Sequence, residues 1–340
     1  MIPGRRRLQA WLRRHRRLDR GLAFLRRHWL ESIAILSLIG LIAAVDPLRL
    51  AGVLGRVRPR VLAAMLPVLL AVYGFRGLGW WVALRGVGVR ISPFRSVYVM
   101  FAGQTLIFMP TGDLARVALV KRTGASGRDE GTIAGTIAFQ ELVYLGLIGL
   151  GVLPRVAVHP DLALLVVLMT AAHAGIFAVI VWKRAYEWAV GVVTRVRPFR
   201  RFESRLRSLR PAFLEMMKPW NLAGVLAFNA LAVGLLFLLF YLALRAVGVT
   251  SVSITEATFT YGLAHILSGL SFLPGGIGSQ EVIVTGLLAT HGVPTSTGAA
   301  ASLLFRAFND VVMAMVGAAS GLLVRRAARR RAARRRPALD

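Results

Sequence analysis

Apolar residues in this chain come in long blocks, not at the alternating or three-to-four spacing of a half-buried surface element. Six blocks are long enough to cross a bilayer as helices, at about 29–45, 61–84, 131–153, 161–182, 221–244 and 298–324. A hydrocarbon core of ~30 Å takes roughly 20 apolar residues at the helical rise, fewer at the short limit. Two further apolar regions, Ser96–Arg122 and Glu256–Thr290, have comparable length but are broken centrally by proline and glycine. At least one piece of each is too short to span. Each region therefore reads as a re-entrant hairpin that enters and leaves on one side. Non-helical backbone persists at membrane depth only where it is buried in protein or lines a wet cavity. The expected fold is an all-α polytopic membrane protein of about six transmembrane helices plus two re-entrant helical hairpins.

The two broken regions are related to each other. Trp81–Val89 reads WVALRGVGV and Tyr241–Val249 reads YLALRAVGV, an offset of 160. A break follows each, FMPTGDLAR at Phe108–Arg116 and FLPGGIGSQ at Phe272–Gln280, then a small polar turn and another apolar helix. The expected duplicates are repeat 1 at about 61–153 and repeat 2 at about 221–324. With six crossings, the first copy starts on a helix running outward to inward and the second on one running the other way. The copies are then inverted, as in transporters whose broken helices meet near the midplane.

Charge orients this arrangement. The chain of 340 residues is 56% hydrophobic with a formal net charge of +28 and a mean hydropathy of +0.63. The positive charge is confined to an N-terminal arm, 1–28, a loop, 183–218, and an Arg-rich tail, 325–340. By the positive-inside rule all three are expected on the cytoplasmic side of an inner membrane, against anionic lipid headgroups. The connector 46–60, with Arg49, Arg56, Arg58 and Arg60, fits this topology poorly. No cleavage site follows the first block, which reads as an uncleaved membrane helix. The span 29–324 is expected to form a single transmembrane domain. No aromatic-interleaved basic groove accompanies the arginines, so nucleic acid is not the expected partner. Self-association is left open. The chain has no cysteine and its six histidines show no ligand spacing, so neither a metal nor a cofactor is expected.

The candidate chemistry lies at the breaks and in the charges between apolar blocks. The run Pro274, Gly275, Gly276 and Gly278 would free backbone N–H groups at the start of the next helix, a favourable place for a phosphate. Its glycines would serve a close helix crossing equally well. The run lacks the Lys-Ser/Thr of a nucleotide loop. Glu281 and Asp113 are costly in a membrane unless paired or wetted, and so are functional candidates. Asp113 follows Pro110 and Gly112, and Arg116 lies one turn on, placed to pair with it or to hold a phosphate with two hydrogen bonds. Arg306 and Asp310 form a second pair one turn apart. Glu141, beside Gln140, is expected to face a cavity, whereas His265 is expected to be packed or hydrogen-bonded. No nucleophile–base spacing stands out, so no catalytic residue is assigned.

These motifs make the chain similar to the lysylphosphatidylglycerol synthase transmembrane family, the flippase-like membrane proteins. The family's second-half signature, Pro-Gly-Gly-x-Gly-x-x-Glu, is matched by Pro274, Gly275, Gly276, Gly278 and Glu281. Its first-half signature is matched by Pro110, Gly112, Asp113 and Arg116, with aspartate where glutamate is commoner. The resemblance covers roughly residues 30–325. One departure is clear: where the family carries Glu-Arg followed closely by Asp, this chain has Gln140, Glu141 and Tyr144. The resemblance implies a stand-alone member without the aminoacyl-transferase domain. It implies transport of an anionic phospholipid or lipid-linked headgroup between leaflets by alternating access, not synthesis. A membrane transferase acting on a phospholipid or polyprenyl-phosphate, or an accessory subunit of an envelope pathway, remains the alternative.

Overall fold

The computed structural model describes residues 39–40, 42–43, 47–106, 115–122, 129–156, 160–196, 200, 202–271 and 273–321. The basic arm, the Arg-rich tail, most of the first apolar block and Pro110, Gly112 and Asp113 lie outside the described residues. The described residues are helical throughout, without strands. The elements are α1 (Pro47–Gly55), α2 (Pro59–Gly86), α3 (Pro93–Gly103), α4 (Ala115–Arg122), α5 (Glu130–Val156), α6 (Pro160–Val181), α7 (Lys183–Thr194), α8 (Glu203–Met216), α9 (Pro219–Ala246), α10 (Ile254–Gly269), α11 (Ser279–Thr290) and α12 (Thr295–Arg306). A π-helical turn, Ala307–Val312, carries α12 onward.

Four helices are long and apolar enough to cross a membrane: Pro59–Gly86, Glu130–Arg155, Pro219–Ala246 and Thr295–Gly321. A fifth crossing is available if the bent pair α6–α7 counts as one span. This supports a multi-pass membrane protein. It falls short of the six expected spans, because the block 29–45 lies mostly outside the described residues and the block 161–182 ends in a bend of 97° into α7. The segment 183–218, read from sequence as a loop, is built largely of α7 and α8. Arg184, Arg195, Arg205 and Arg207 are exposed, while Tyr186, Val190, Phe213 and Met216 are buried.

The core forms around α2 and α9, which make the most extensive helix pair. Both are 28 residues long and both begin on proline, where the missing N–H is one that a first turn leaves unbonded anyway. They also end alike. Gly88 at φ 79° and Gly248 at φ 89° reverse the chain so that Val89 N–H reaches the Leu84 carbonyl at 2.9 Å and Val249 N–H reaches that of Leu244 at 3.0 Å. The shared ALR-x-VGV sequence is thus a helix C-cap, with glycine at the left-handed position that other residues avoid. Ser92 and Ser253 then cap the next helices, each accepting the backbone N–H three residues on.

After these caps come helices too short to cross alone. α3 has 11 residues, α4 has 8, α10 has 16 and α11 has 12. At ~1.5 Å per residue the longest of them covers about 24 Å. α5 and α12, the helices that follow each broken region, pack around the α2–α9 pair and carry the charged groups of the site.

Candidate functional site

Two clusters of buried charge face a common cavity of about 920 Å³. The first is built on α2, α4 and α5. Glu141 accepts two hydrogen bonds from Arg76 Nη2, at 2.7 and 2.6 Å to its two oxygens, and one from Arg116 Nη2 at 2.9 Å. Arg116 is fully buried. Its guanidinium lies 5.3 Å from the centre of the Trp80 ring, and Nη1 is 3.3 Å from the Met100 sulfur. Arg76 lies over the Tyr144 ring at 4.2 Å. Aromatic faces stabilise both cations where water cannot. Here two guanidiniums converge on one carboxylate.

The second cluster is built on the glycine break and α12. Arg306 donates through Nε to Glu281, through Nη1 to Asp310 at 2.8 Å and the Gly275 carbonyl at 3.2 Å, and through Nη2 to Gln280 at 3.2 Å and the Gly276 carbonyl at 3.4 Å. Asn309 Nδ2 donates to Asp310 at 2.8 Å. Arg306, Asn309 and Asp310, spaced at i, i+3 and i+4 where α12 passes into the π-turn, all line the cavity. One guanidinium among two carboxylates leaves this cluster formally one negative charge in excess.

The glycine run forms a tight turn beside Arg306. Gly275, Gly276 and Gly278 have φ of 60°, 63° and 84°, a conformation that side chains with a Cβ resist. This tight turn aims the carbonyls of Gly275 and Gly276 at Arg306. The Gly278 N–H is taken by Glu281 itself at 2.7 Å, half of a capping box. A headgroup phosphate would thus meet one of the freed donors already engaged by the protein's own carboxylate.

Of the candidates from sequence, Glu141 and Arg116 come together, and so do Gly275, Gly276, Gly278, Glu281, Arg306 and Asp310. Pro274 opens the turn Pro274–Gly276. Pro110, Gly112 and Asp113 lie outside the described residues, so the expected Asp113–Arg116 pair does too. His265 is packed on Tyr261 at 5.6 Å between ring centres. It lines the same cavity as the two clusters. The residue missed was Arg76. Its signal was present, an arginine in the middle of the apolar block 61–84, where a charge is a functional candidate by default.

The remaining walls of the cavity are largely apolar, with Gln104, Thr170, His173 and Ser302 among the leucines. Leu150 on α5, Leu168 on α6 and Leu270 after α10 line it while remaining exposed at the helix surface. Tyr73 and Asn309 tie α2 to the π-turn at 3.3 Å, and Gln140 donates to the Arg76 carbonyl at 2.6 Å. Among the described residues no group of three or more acidic or histidine side chains is placed to hold a metal ion.

Comparison with known proteins agrees with this architecture. The family model described as the lysylphosphatidylglycerol synthase TM region matches residues 28–317. A UPF0104 membrane protein of Methanothermobacter thermautotrophicus (strain Delta H) is 23% identical over 317 residues, covering 86% of this chain and 92% of its own. With the match running through both clusters and nearly the whole described core, the chain belongs to the lysylphosphatidylglycerol synthase TM region family.

Proposed function

We propose that this protein moves an anionic phospholipid or lipid-linked headgroup between leaflets. The observation that carries the reading is the cavity. Two buried arginine–carboxylate clusters open into one space of about 920 Å³, while its outer wall is formed by leucines exposed on α5 and α6. A charged headgroup would occupy the polar floor while its acyl chains stay against the leucines. Arg76 would take the phosphate, since it lines the cavity and guanidinium offers paired donors, with Arg116 held behind it through Glu141. In this reading the broken regions 96–122 and 256–290 are re-entrant hairpins of inverted repeats. The equal lengths of α2 and α9, the like caps after them and the common order of α2–α5 and α9–α12 support that reading.

Exchange of Arg306 between its carboxylate partners and the substrate would let the cavity change its open side. The carboxylates favour transport over group transfer. Glu281 already accepts from Arg306 and Gly278, and Glu141 from Arg76 and Arg116, which leaves them poorly available as general bases.

The test is leaflet exchange of a fluorescent phosphatidylglycerol in proteoliposomes. Glu281→Gln keeps an acceptor for the Gly278 N–H and removes the charge facing Arg306. The variant is expected to insert and purify normally and to lose exchange. Exchange at the wild-type rate would sink the site assignment. A new covalent lipid product from wild-type protein would replace the transporter by a transferase.

A further inference from the structure

The joint between α6 and α7 carries an inference independent of transport. α6 has 22 residues, about 33 Å at the helical rise, a length comparable to the hydrocarbon core. At Trp182 the chain turns through 97°. The turn is built rather than loose. Arg210 of α8 donates from Nε to the Ile180 carbonyl at 3.0 Å and from Nη2 to the Val181 carbonyl at 2.6 Å, satisfying acceptors that the end of α6 leaves open. Tyr186 of α7 donates to the Leu206 carbonyl at 2.6 Å, and Arg207 of α8 pairs with Glu187 of α7. A helix held at a right angle to a crossing helix lies in the plane of the membrane surface.

The faces of α7 fit that position. Tyr186 and Val190, one turn apart, are buried against the protein. Trp188 and Val192, also one turn apart, are exposed, as are Trp182 before the helix and Val196 after it. Lys183, Arg184 and Arg195 are exposed too and make no ion pair among the described residues. Arg184 and Arg195 stand about three turns apart, so they flank the apolar stripe on one side. Indole rings, an apolar stripe and a flanking row of arginines match the boundary between acyl chains and anionic headgroups.

We propose that α7 is an interfacial anchor that seats Trp188 and Val192 below the headgroups, with Arg184 and Arg195 on the phosphates of an anionic leaflet. The partner is the surface of the bilayer itself, at the face where α6 ends.

The chain has no cysteine, so single-site labelling needs no background removal. Full-length Val192→Cys and Gly191→Cys would each carry a nitroxide in nanodiscs of phosphatidylglycerol and phosphatidylcholine. Val192 is exposed on the apolar stripe, and a side chain at Gly191 meets nothing within 4 Å, so both sites tolerate the label. The ratio of oxygen to nickel-complex collisions is expected to be several-fold higher at 192 than at 191. Adding Arg184→Gln and Arg195→Gln should lower the ratio at 192, as should nanodiscs of phosphatidylcholine alone. A label at 192 open to the nickel complex would refute the proposal. So would one shielded from both probes, which would place a second copy of the chain there, or one indifferent to lipid charge.

Discussion

The two clusters use the same side-chain chemistry in opposite proportion. On α5, one carboxylate holds two guanidiniums, and aromatic rings and a methionine sulfur complete the shell. On α12, one guanidinium is held by two carboxylates, a glutamine and two backbone carbonyls. The difference is structural as well as electrostatic. Arg306 is the centre of its cluster, so every other member depends on it. Glu141 is the centre of the other, but its side chain remains 33% exposed to the cavity, where water or a headgroup can take its place. One cluster is thus a lock between the glycine break and α12, and the other presents Arg76 and Glu141 to the cavity with Arg116 buried behind them.

The largest effect is expected where that lock loses its centre. Arg306→Met leaves Glu281, whose side chain is 1% exposed, and Asp310, at 11%, without their cation. Breaking a buried pair from one side destabilises by about 3–5 kcal/mol, to be read as a fall in the thermal midpoint in detergent. Neutralising the carboxylates as well, with Glu281→Gln and Asp310→Asn, should recover part of the loss. A midpoint within a degree of wild type would mean that the carboxylates are not held by Arg306, and the contrast would disappear.

Glu141→Gln is expected to cost less, about 1–3 kcal/mol, because its carboxylate is partly exposed. It should also tighten binding of phosphatidylglycerol several-fold in a native mass spectrometry titration, since the negative charge beside Arg76 at the cavity is removed. Weaker binding would show that the phosphate does not go to Arg76. Within this cluster, Arg76→Lys keeps the charge but gives up the grip on both oxygens of Glu141. The loss expected is about 1 kcal/mol, with a reduced exchange rate in proteoliposomes. Arg116→Lys, at a fully buried site against Trp80, should lose more. The reverse order would place the grip on the wrong arginine.

The smallest effect belongs to a water-facing contrast. Asp129 caps α5 and accepts from Ser208 of α8 at 2.6 Å. Partial burial pushes its carboxyl up, but hydrogen bonds from Ser208 and Thr132 outweigh this and hold it below the ordinary value of 3.8. A lowered folded-state value stabilises above the unfolded one and is lost as pH falls below it. Ser208→Ala should lower the midpoint at pH 7 by the equivalent of about 0.5–1 kcal/mol, with the difference shrinking below pH ~4. The same gap at both pH values would assign it to packing.

Much of the fold is legible in the sequence because membrane spans and caps are local. The apolar blocks 61–84, 131–153, 221–244 and 298–324 fall on α2, α5, α9 and α12. The ALR-x-VGV stretch marks a C-cap because only glycine takes its left-handed turn freely. The second broken region shows itself by proline and glycine in the turn between α10 and α11. The elbow at Trp182 was not legible. Nothing at that residue forbids a straight helix, and the turn is held by Arg210, about thirty positions further on. Arg76 carried its signal in its own surroundings and was passed over beside the more conspicuous breaks.

By itself, then, the sequence determined that this chain is helical, multi-pass and membrane-embedded, with charges placed where they must be partnered. Those properties follow from the length of apolar blocks and from the penalty on lone charge in hydrocarbon. Only the tertiary structure decided which charge meets which. It put Arg116 and Arg76 on one glutamate, turned the glycine carbonyls onto Arg306, and bent α7 at a right angle to α6. Partners from separate helices are chosen by packing between elements far apart in the chain, and no local pattern encodes that choice.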